Sequence, residues 1–227
     1  MIEAVLFDLD GTLADTAPDM TRTINAMRAR RGLEPVAAEL VRPQVSRGAR
    51  GMIAAAFGVA SGDAGYEALR DEFLEIYAGQ LCVDTRLFPG MAELLDALEA
   101  GGLPWGVVTN KFERLARPVI AGLGLGARAR VLVGGDTCSR PKPFPDPLLH
   151  AARALGADPA RTLYVGDDER DVQAARAAGM PVLVAGYGYL GDGETPPPWG
   201  ADALVDSPSG IGEWIRRAAS KGAPVVL

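Results

Sequence analysis

The chain has 227 residues, 48% hydrophobic and 23% charged, enough for one large domain or a domain with a sizeable insertion. A formal net charge of −6 argues against nucleic acid as the main partner, because phosphate-backbone binding needs a basic surface. With a single histidine, His150, and two cysteines far apart, Cys82 and Cys138, zinc sites built from several His or Cys are excluded, so any metal must be held by oxygen.

The first apolar run, EAVLF (3–7), is expected as a buried strand that ends at the turn residues Gly11 and Thr12. It leaves the core carrying Asp8 and Asp10 at its tip. Two apart on an extended chain, they point to one side while Leu9 points to the other. Like charges held so close are costly to ionise together, so either the tip is solvated or something positive sits there. Met1-Ile2-Glu3 lead directly into this strand and leave no room for a signal peptide, and no apolar run approaches the length of a membrane span. A cytoplasmic protein with no membrane partner is expected.

From residue 16 to about 85 the pattern is helical throughout. DMTRTINAMRARRG, GARGMIAAAFG and YEALRDEFLEIYAGQL carry helical periodicity, and no strand is evident among them. Such a run reads as a small separate domain, joined by linkers near Leu13–Thr16 and Val83–Pro89. Beyond it, strands and helices alternate. The strands are PWGVVT (104–109), RVLVG (130–134), TLYVG (162–166), PVLVA (181–185) and a weaker ADALVD (201–206). The helices are 90–102, 114–124, 146–156 (which carries His150) and 169–179, most of them stopping at glycine. GDGETPPPWG (191–200) reads as a rigid surface loop. Near-continuous apolar strands alternating with helices predict an α/β fold, a Rossmann-like parallel sheet covered on both faces. Its expected division is a core of residues 1–15 and 86–227 with an all-helical insert at 16–85.

In an open α/β sheet ligands bind beyond the carboxyl ends of the strands. Four segments deliver chemistry to that rim: Asp8 and Asp10; Thr109, Asn110 and Lys111; Lys142 between Pro141 and Pro143; and Asp167, Asp168 and Asp171. Acids also favour helix N-termini, which would account for Asp168 and Asp171 by itself. Taken together, the two carboxylate pairs point to a hard divalent cation, and Mg²⁺ suits one or two carboxylates plus a substrate phosphate. Lys142, stiffened by its prolines, suits a fixed ammonium facing a carboxylate and a phosphoryl oxygen, with a surface lysine as the lesser alternative. Thr109 and Asn110 can offer a hydroxyl and backbone N–H groups to the same oxygens.

In this order, DLDGT (8–12), VVTN (107–110), KPFP (142–145) and GDDERD (166–171) resemble the four motifs of the haloacid dehalogenase superfamily phosphatases, over nearly the whole chain. The helical insert resembles the C1-type cap of the phosphoglycolate phosphatase-like branch. VSRGARGMIAAAFG (45–58) and WGVVTNK also resemble the N-acetylmuramic acid 6-phosphate phosphatases of peptidoglycan recycling. The resemblance implies Asp8 as nucleophile and Asp10 as general acid and base. It implies Mg²⁺ held by Asp8, the Asp10 carbonyl and Asp167, with Asp171 in support directly or through water. Thr109 and Lys142 would stabilise phosphoryl oxygens. Asp168 stands where the family commonly has Ser or Thr, and its role is open. Both candidate substrates, 2-phosphoglycolate and N-acetylmuramic acid 6-phosphate, carry a carboxylate that Arg47 and Arg50 can read, unless these are simply a solvated surface. A phosphomutase would use the same groups; a dehalogenase would leave Asp10, Asp167 and Asp171 without a role. No motif residue is missing, which argues against a non-catalytic binding module. The expected activity is Mg²⁺-dependent hydrolysis of a small phosphorylated metabolite through an aspartyl-phosphate, with 2-phosphoglycolate as the first reading and N-acetylmuramic acid 6-phosphate as the alternative.

Overall fold

The computed structural model describes residues 1–190 and 199–221. Along the chain, β1 (Ala4–Phe7) and the short β2 (Ala14–Asp15) precede four helices, α1 (Ala17–Ala29), α2 (Ala38–Val41), α3 (Gly48–Phe57) and α4 (Tyr66–Ala78). A 3-10 segment, Arg42–Arg47, lies between α2 and α3. After β3 (Arg86–Leu87) come α5 (Met91–Ala100), β4 (Trp105–Val108), α6 (Glu113–Gly122), β5 (Leu132–Val133) and α7 (Asp146–Leu155). The last elements are β6 (Thr162–Gly166), α8 (Glu169–Ala177), β7 (Val182–Ala185), β8 (Ala203–Val205) and α9 (Pro208–Lys221).

Six strands form one sheet in the order β5-β4-β1-β6-β7-β8, every neighbouring pair parallel. Every residue of β1, β4, β6 and β7 is buried, as a sheet covered on both faces requires. Val5 and Phe7 face the layer of α5, α6 and α9, where they meet Met91, Leu95, Val119 and Ile211. Leu6 faces the other layer, with Leu148 and Ala152 of α7 and Val172 and Ala175 of α8. β1 is central. Its neighbours β4 and β6 stand in register with it at Phe7↔Val107 and Phe7↔Val165, so the residues after all three strands emerge together.

The insert has its own apolar cluster, built on Met20, Ile24, Met52, Ile53, Phe73 and Tyr77, and Phe88, Leu115 and Tyr189 join it from the sheet side. Two stretches expected as plain linkers pair with one another: β2 and β3 form an antiparallel ribbon, Ala14 opposite Leu87 and Asp15 opposite Arg86. Each linker is also fastened beyond this ribbon. Asp19, buried in the first turn of α1, accepts from the backbone N–H of Val83 (3.1 Å), Asp84 (2.8 Å) and Thr85 (3.3 Å) and from the Thr85 hydroxyl (2.7 Å). Asp15 accepts from Arg42 at 2.9 and 2.7 Å and from the Tyr189 hydroxyl at 2.5 Å.

α9 has no counterpart among the expected helices, since its two glycines and leading proline weaken the helical signal. The loop expected at 191–200 lies, apart from Trp199 and Gly200, outside the described residues. No helix of the described residues is long and apolar enough to cross a membrane.

Candidate active site

The carboxyl ends of β1, β4 and β6 bring Asp8, Thr109 and Asp167 to one rim, and the β5–α7 connection adds Lys142. The Lys142 ammonium, buried, lies 3.0 Å from Asp8 Oδ1 and 2.7 Å from Asp171 Oδ1. It also donates to the Tyr164 hydroxyl (2.9 Å) and the Val108 carbonyl (3.1 Å). Burial alone would lower its pKa; Asp171 and Asp8 outweigh that and hold it above the ordinary lysine value. Asn110 fixes the backbone that presents this lysine: its amide accepts from Lys142 N–H at 3.0 Å and donates to the Lys142 carbonyl at 2.9 Å. Lys142 is therefore a placed charge, not a surface lysine.

Asp171 is held just as fully. Its second oxygen accepts the backbone N–H groups of Asp167 and Asp168, both at 3.1 Å. Asp168 caps α8 and forms a capping box with Asp171, so this acidic pair both starts the helix and aims Asp171 inward. Asp167 precedes α8 rather than lying in it. It accepts from Thr12 (3.1 Å), Ser46 (3.0 Å) and the Tyr189 N–H (3.0 Å). Gly11, at φ +87°, passes so close that a Cβ there would stand 2.2 Å from Asp167 Oδ2, which only glycine avoids.

Asp8, Asp167 and Asp171 offer oxygens that all lie within 4.8 Å of one another. Three carboxylates thus converge, and two of them, Asp8 and Asp171, pair with one ammonium. Burial pushes the Asp8 carboxyl up to about 7, with Asp171 and Asp10 adding to the rise and Lys142 opposing it. Burial, then Asp8 and Asp171, also raise Asp167 well above the carboxylate range. Surplus negative charge on oxygen donors fits a hard metal ion, so this acidic group can hold one. The Asp10 side chain is not part of that cluster. It turns to Lys111, whose ammonium contacts both its oxygens at 2.7 and 3.0 Å, while the Thr16 hydroxyl donates at 2.6 Å.

The group opens into a cleft of about 320 Å³ between the sheet edge and the helical insert, within the usual size range of small-molecule sites. Thr109, Asn110 and Lys142 line its floor, and Arg47 and Arg50 line it from the insert, both exposed. The partners of several of its residues gave no sequence signal. Ser46 reaches Asp167 from the 3-10 segment, and Arg170 pairs with Asp168 (2.8 and 3.0 Å) while donating to the Ser46 carbonyl. Lys111 follows Thr109 and Asn110 in sequence, but no spacing pairs it with Asp10, 101 residues away. Asp168, the residue without an assigned role, thus orients Arg170 toward the insert.

Comparison with known proteins agrees with this geometry. Residues 2–179 match the family model of the haloacid dehalogenase-like hydrolases. The chain is 48% identical over 217 residues to an N-acetylmuramic acid 6-phosphate phosphatase of Pseudomonas aeruginosa, covering 96% of each. It is 50% identical over 211 residues to a phosphoglycolate phosphatase of Xanthomonas campestris pv. campestris, covering 92% of this chain and 95% of that one. Among solved structures, a predicted phosphoglycolate phosphatase from Haemophilus somnus superimposes with a TM-score of 0.82 at 28% identity, over 94% of this chain and 98% of that one. A match over most of the chain, with carboxylates, lysine and threonine gathered at one rim, means that the chain belongs to the haloacid dehalogenase-like hydrolase family, among its phosphatases.

Proposed function

We propose that the chain hydrolyses a phosphomonoester of a small carboxylated metabolite, with Asp8 as nucleophile. The observation that carries this reading is the convergence of Asp8, Asp167 and Asp171, with the buried Lys142 ammonium paired to Asp8 and Asp171. One Asp8 oxygen attacks phosphorus as the bond to the leaving oxygen breaks, and Asp10 delivers the proton that the departing alkoxide needs. Asp10 then takes a proton from the water that displaces Asp8 from phosphorus. Lys142, the Thr109 hydroxyl and the backbone N–H of Asn110 hold the phosphoryl oxygens through both steps. Mg²⁺ is the ion proposed, on Asp8, the Asp10 carbonyl, Asp167 and Asp171; when bound it neutralises charge on the phosphoryl oxygens. Residues 16–85 act as a cap on a core of 1–15 and 86–227, and Arg47 and Arg50 add positive charge at the mouth that favours an anionic substrate. We further take the enzyme to be cytoplasmic, with no nucleic-acid or membrane partner.

Between 2-phosphoglycolate and N-acetylmuramic acid 6-phosphate, the cleft favours the larger. Met20, Tyr66, Phe73, Leu74 and Leu115 wall a volume of about 320 Å³, with apolar surface that a two-carbon acid leaves untouched. The test is kcat/KM for both esters, with and without chelator. Activity should vanish in chelator and return with Mg²⁺, and the amino-sugar phosphate should be the better substrate. Full turnover in excess chelator would defeat the proposal.

A further inference from the structure

Tyr77, on α4, is 1% exposed and stacked on Phe73, ring centroids 5.7 Å apart and planes 15° from parallel. Its hydroxyl nevertheless meets no hydrogen-bond partner. Among the described residues only Thr21 Oγ1 is another buried side-chain polar atom in that state. Buried hydroxyls are normally paired, so an unpaired one calls for a reason. Tyr77 lines the cleft, and the Lys111 ammonium lies over its ring, 4.9 Å from the centroid. That neighbour cannot satisfy the phenol's proton, because an ammonium only donates. Lys111 itself is buried, its side chain 5% exposed, and it holds both oxygens of Asp10. A phenolic donor and a positive charge therefore face the cleft beside the group that serves the leaving oxygen.

We propose that Tyr77 and Lys111 form the specificity-determining pair that receives a carboxylate on the leaving group. The inference rests on the phosphomonoesterase reading above and names the part of the site that reads the alcohol. The Tyr77 hydroxyl has a proton without an acceptor and the Lys111 ammonium can only donate, so the complementary group is an acceptor, and the lysine charge favours an anionic one. The other cations of the cleft fit less well. Lys111 is paired too, with Asp10, but it is buried and stands over the ring of Tyr77, whose hydroxyl is unpartnered. Arg70, by contrast, pairs with the exposed Glu67 and Asp71, Arg170 is held by Asp168 and the Ser46 carbonyl, and Arg47 and Arg50 are exposed. Tyr77 comes from the helical insert and Lys111 from the sheet side, so the pair spans the two parts that flank the cleft.

Tyr77→Phe removes the hydroxyl and nothing else. kcat/KM is measured for 2-phosphoglycolate against ethyl phosphate, and for N-acetylmuramic acid 6-phosphate against N-acetylglucosamine 6-phosphate, which lacks the carboxylate. The ratio of carboxylated to carboxyl-free ester should fall about tenfold in Tyr77→Phe, mainly through KM, and should fall also in Lys111→Gln. The melting temperature of Tyr77→Phe should not drop, because the hydroxyl has no partner to lose. An unchanged ratio in Tyr77→Phe overturns the proposal, as does a lower melting temperature with equal losses on both esters. Equal losses on both esters in Lys111→Gln would confine that lysine to positioning Asp10 and overturn its share. A wild type that hydrolyses both kinds of ester without preference defeats the pair alone; one that hydrolyses none defeats the phosphomonoesterase reading.

Discussion

Stripped of divalent metal, the protein should become less stable as pH rises from about 4 to about 7, opposite to ordinary acid denaturation. The Asp8 carboxyl stands at about 7 in the folded state against an ordinary 3.8. Between those values the folded chain keeps a proton that the unfolded chain has released. Unfolding therefore releases a proton, and raising the pH favours the unfolded state. The gap of roughly three units, at about 1.4 kcal/mol per unit, amounts to about 4 kcal/mol across the window. Asp167, raised by the same burial, works with the same sign. Asp19 works the other way: burial would raise it, but hydrogen bonds from Thr85, Asp84 and Arg22 hold it below the ordinary value. Its contribution is lost only as pH falls through that lowered pKa, outside the window. Urea unfolding in chelator, at intervals between about pH 4.5 and 7.5, measures the slope, and saturating Mg²⁺ should flatten it by keeping the carboxylates ionised. A flat or rising profile in chelator would refute the reasoning, and so would an unchanged profile with Mg²⁺.

Asp10→Asn should lower kcat by about 10²–10⁴-fold in steady-state assays, the usual range for a lost general acid. Asp19→Ala leaves the donors of Val83, Asp84 and Thr85 without their acceptor, and urea unfolding should record a loss of about 2–3 kcal/mol. Arg50→Ala should reduce kcat/KM for a carboxylated ester by only about 1 kcal/mol or less, because an exposed charge is screened by water. A larger loss, specific to the carboxylated ester, would move the reading of the carboxylate from Tyr77 and Lys111 to the mouth.

Much of the sheet was legible because its signal is local. Runs such as VLVA and LYVG are continuously apolar, as strands buried on both faces must be, and the six expected strands recur as β1 and β4 to β8. The gathering of Asp8, Lys142, Asp167 and Asp171 at one rim was legible for the same reason, since each follows such a run or its connection. β2 and β3 were not, because two residues carry no period and their pairing depends on linkers 71 positions apart meeting in space. Tyr77 reads in sequence as one more apolar position on an amphipathic helix. Only the fold shows that its ring belongs to the core while its hydroxyl meets no partner. Lys111 was expected at the rim, but its partner Asp10 was hidden, as was that of Arg170: a cation's role depends on which carboxylate lies across from it. Asp168 could have been read further, since Asp-x-x-Asp at a helix start is a capping pattern, and that pattern is what aims Asp171 at Lys142.

The central claim is that Asp8 carries the phosphoryl group. Acid quenching during turnover of a phosphomonoester with Mg²⁺, followed by borohydride reduction, converts an aspartyl-phosphate to homoserine. Peptide sequencing should then find homoserine at position 8 in the wild type, and none in Asp8→Asn, which should be inactive though folded. Homoserine at another aspartate, or an Asp8→Asn variant that keeps near wild-type turnover, would contradict the assignment.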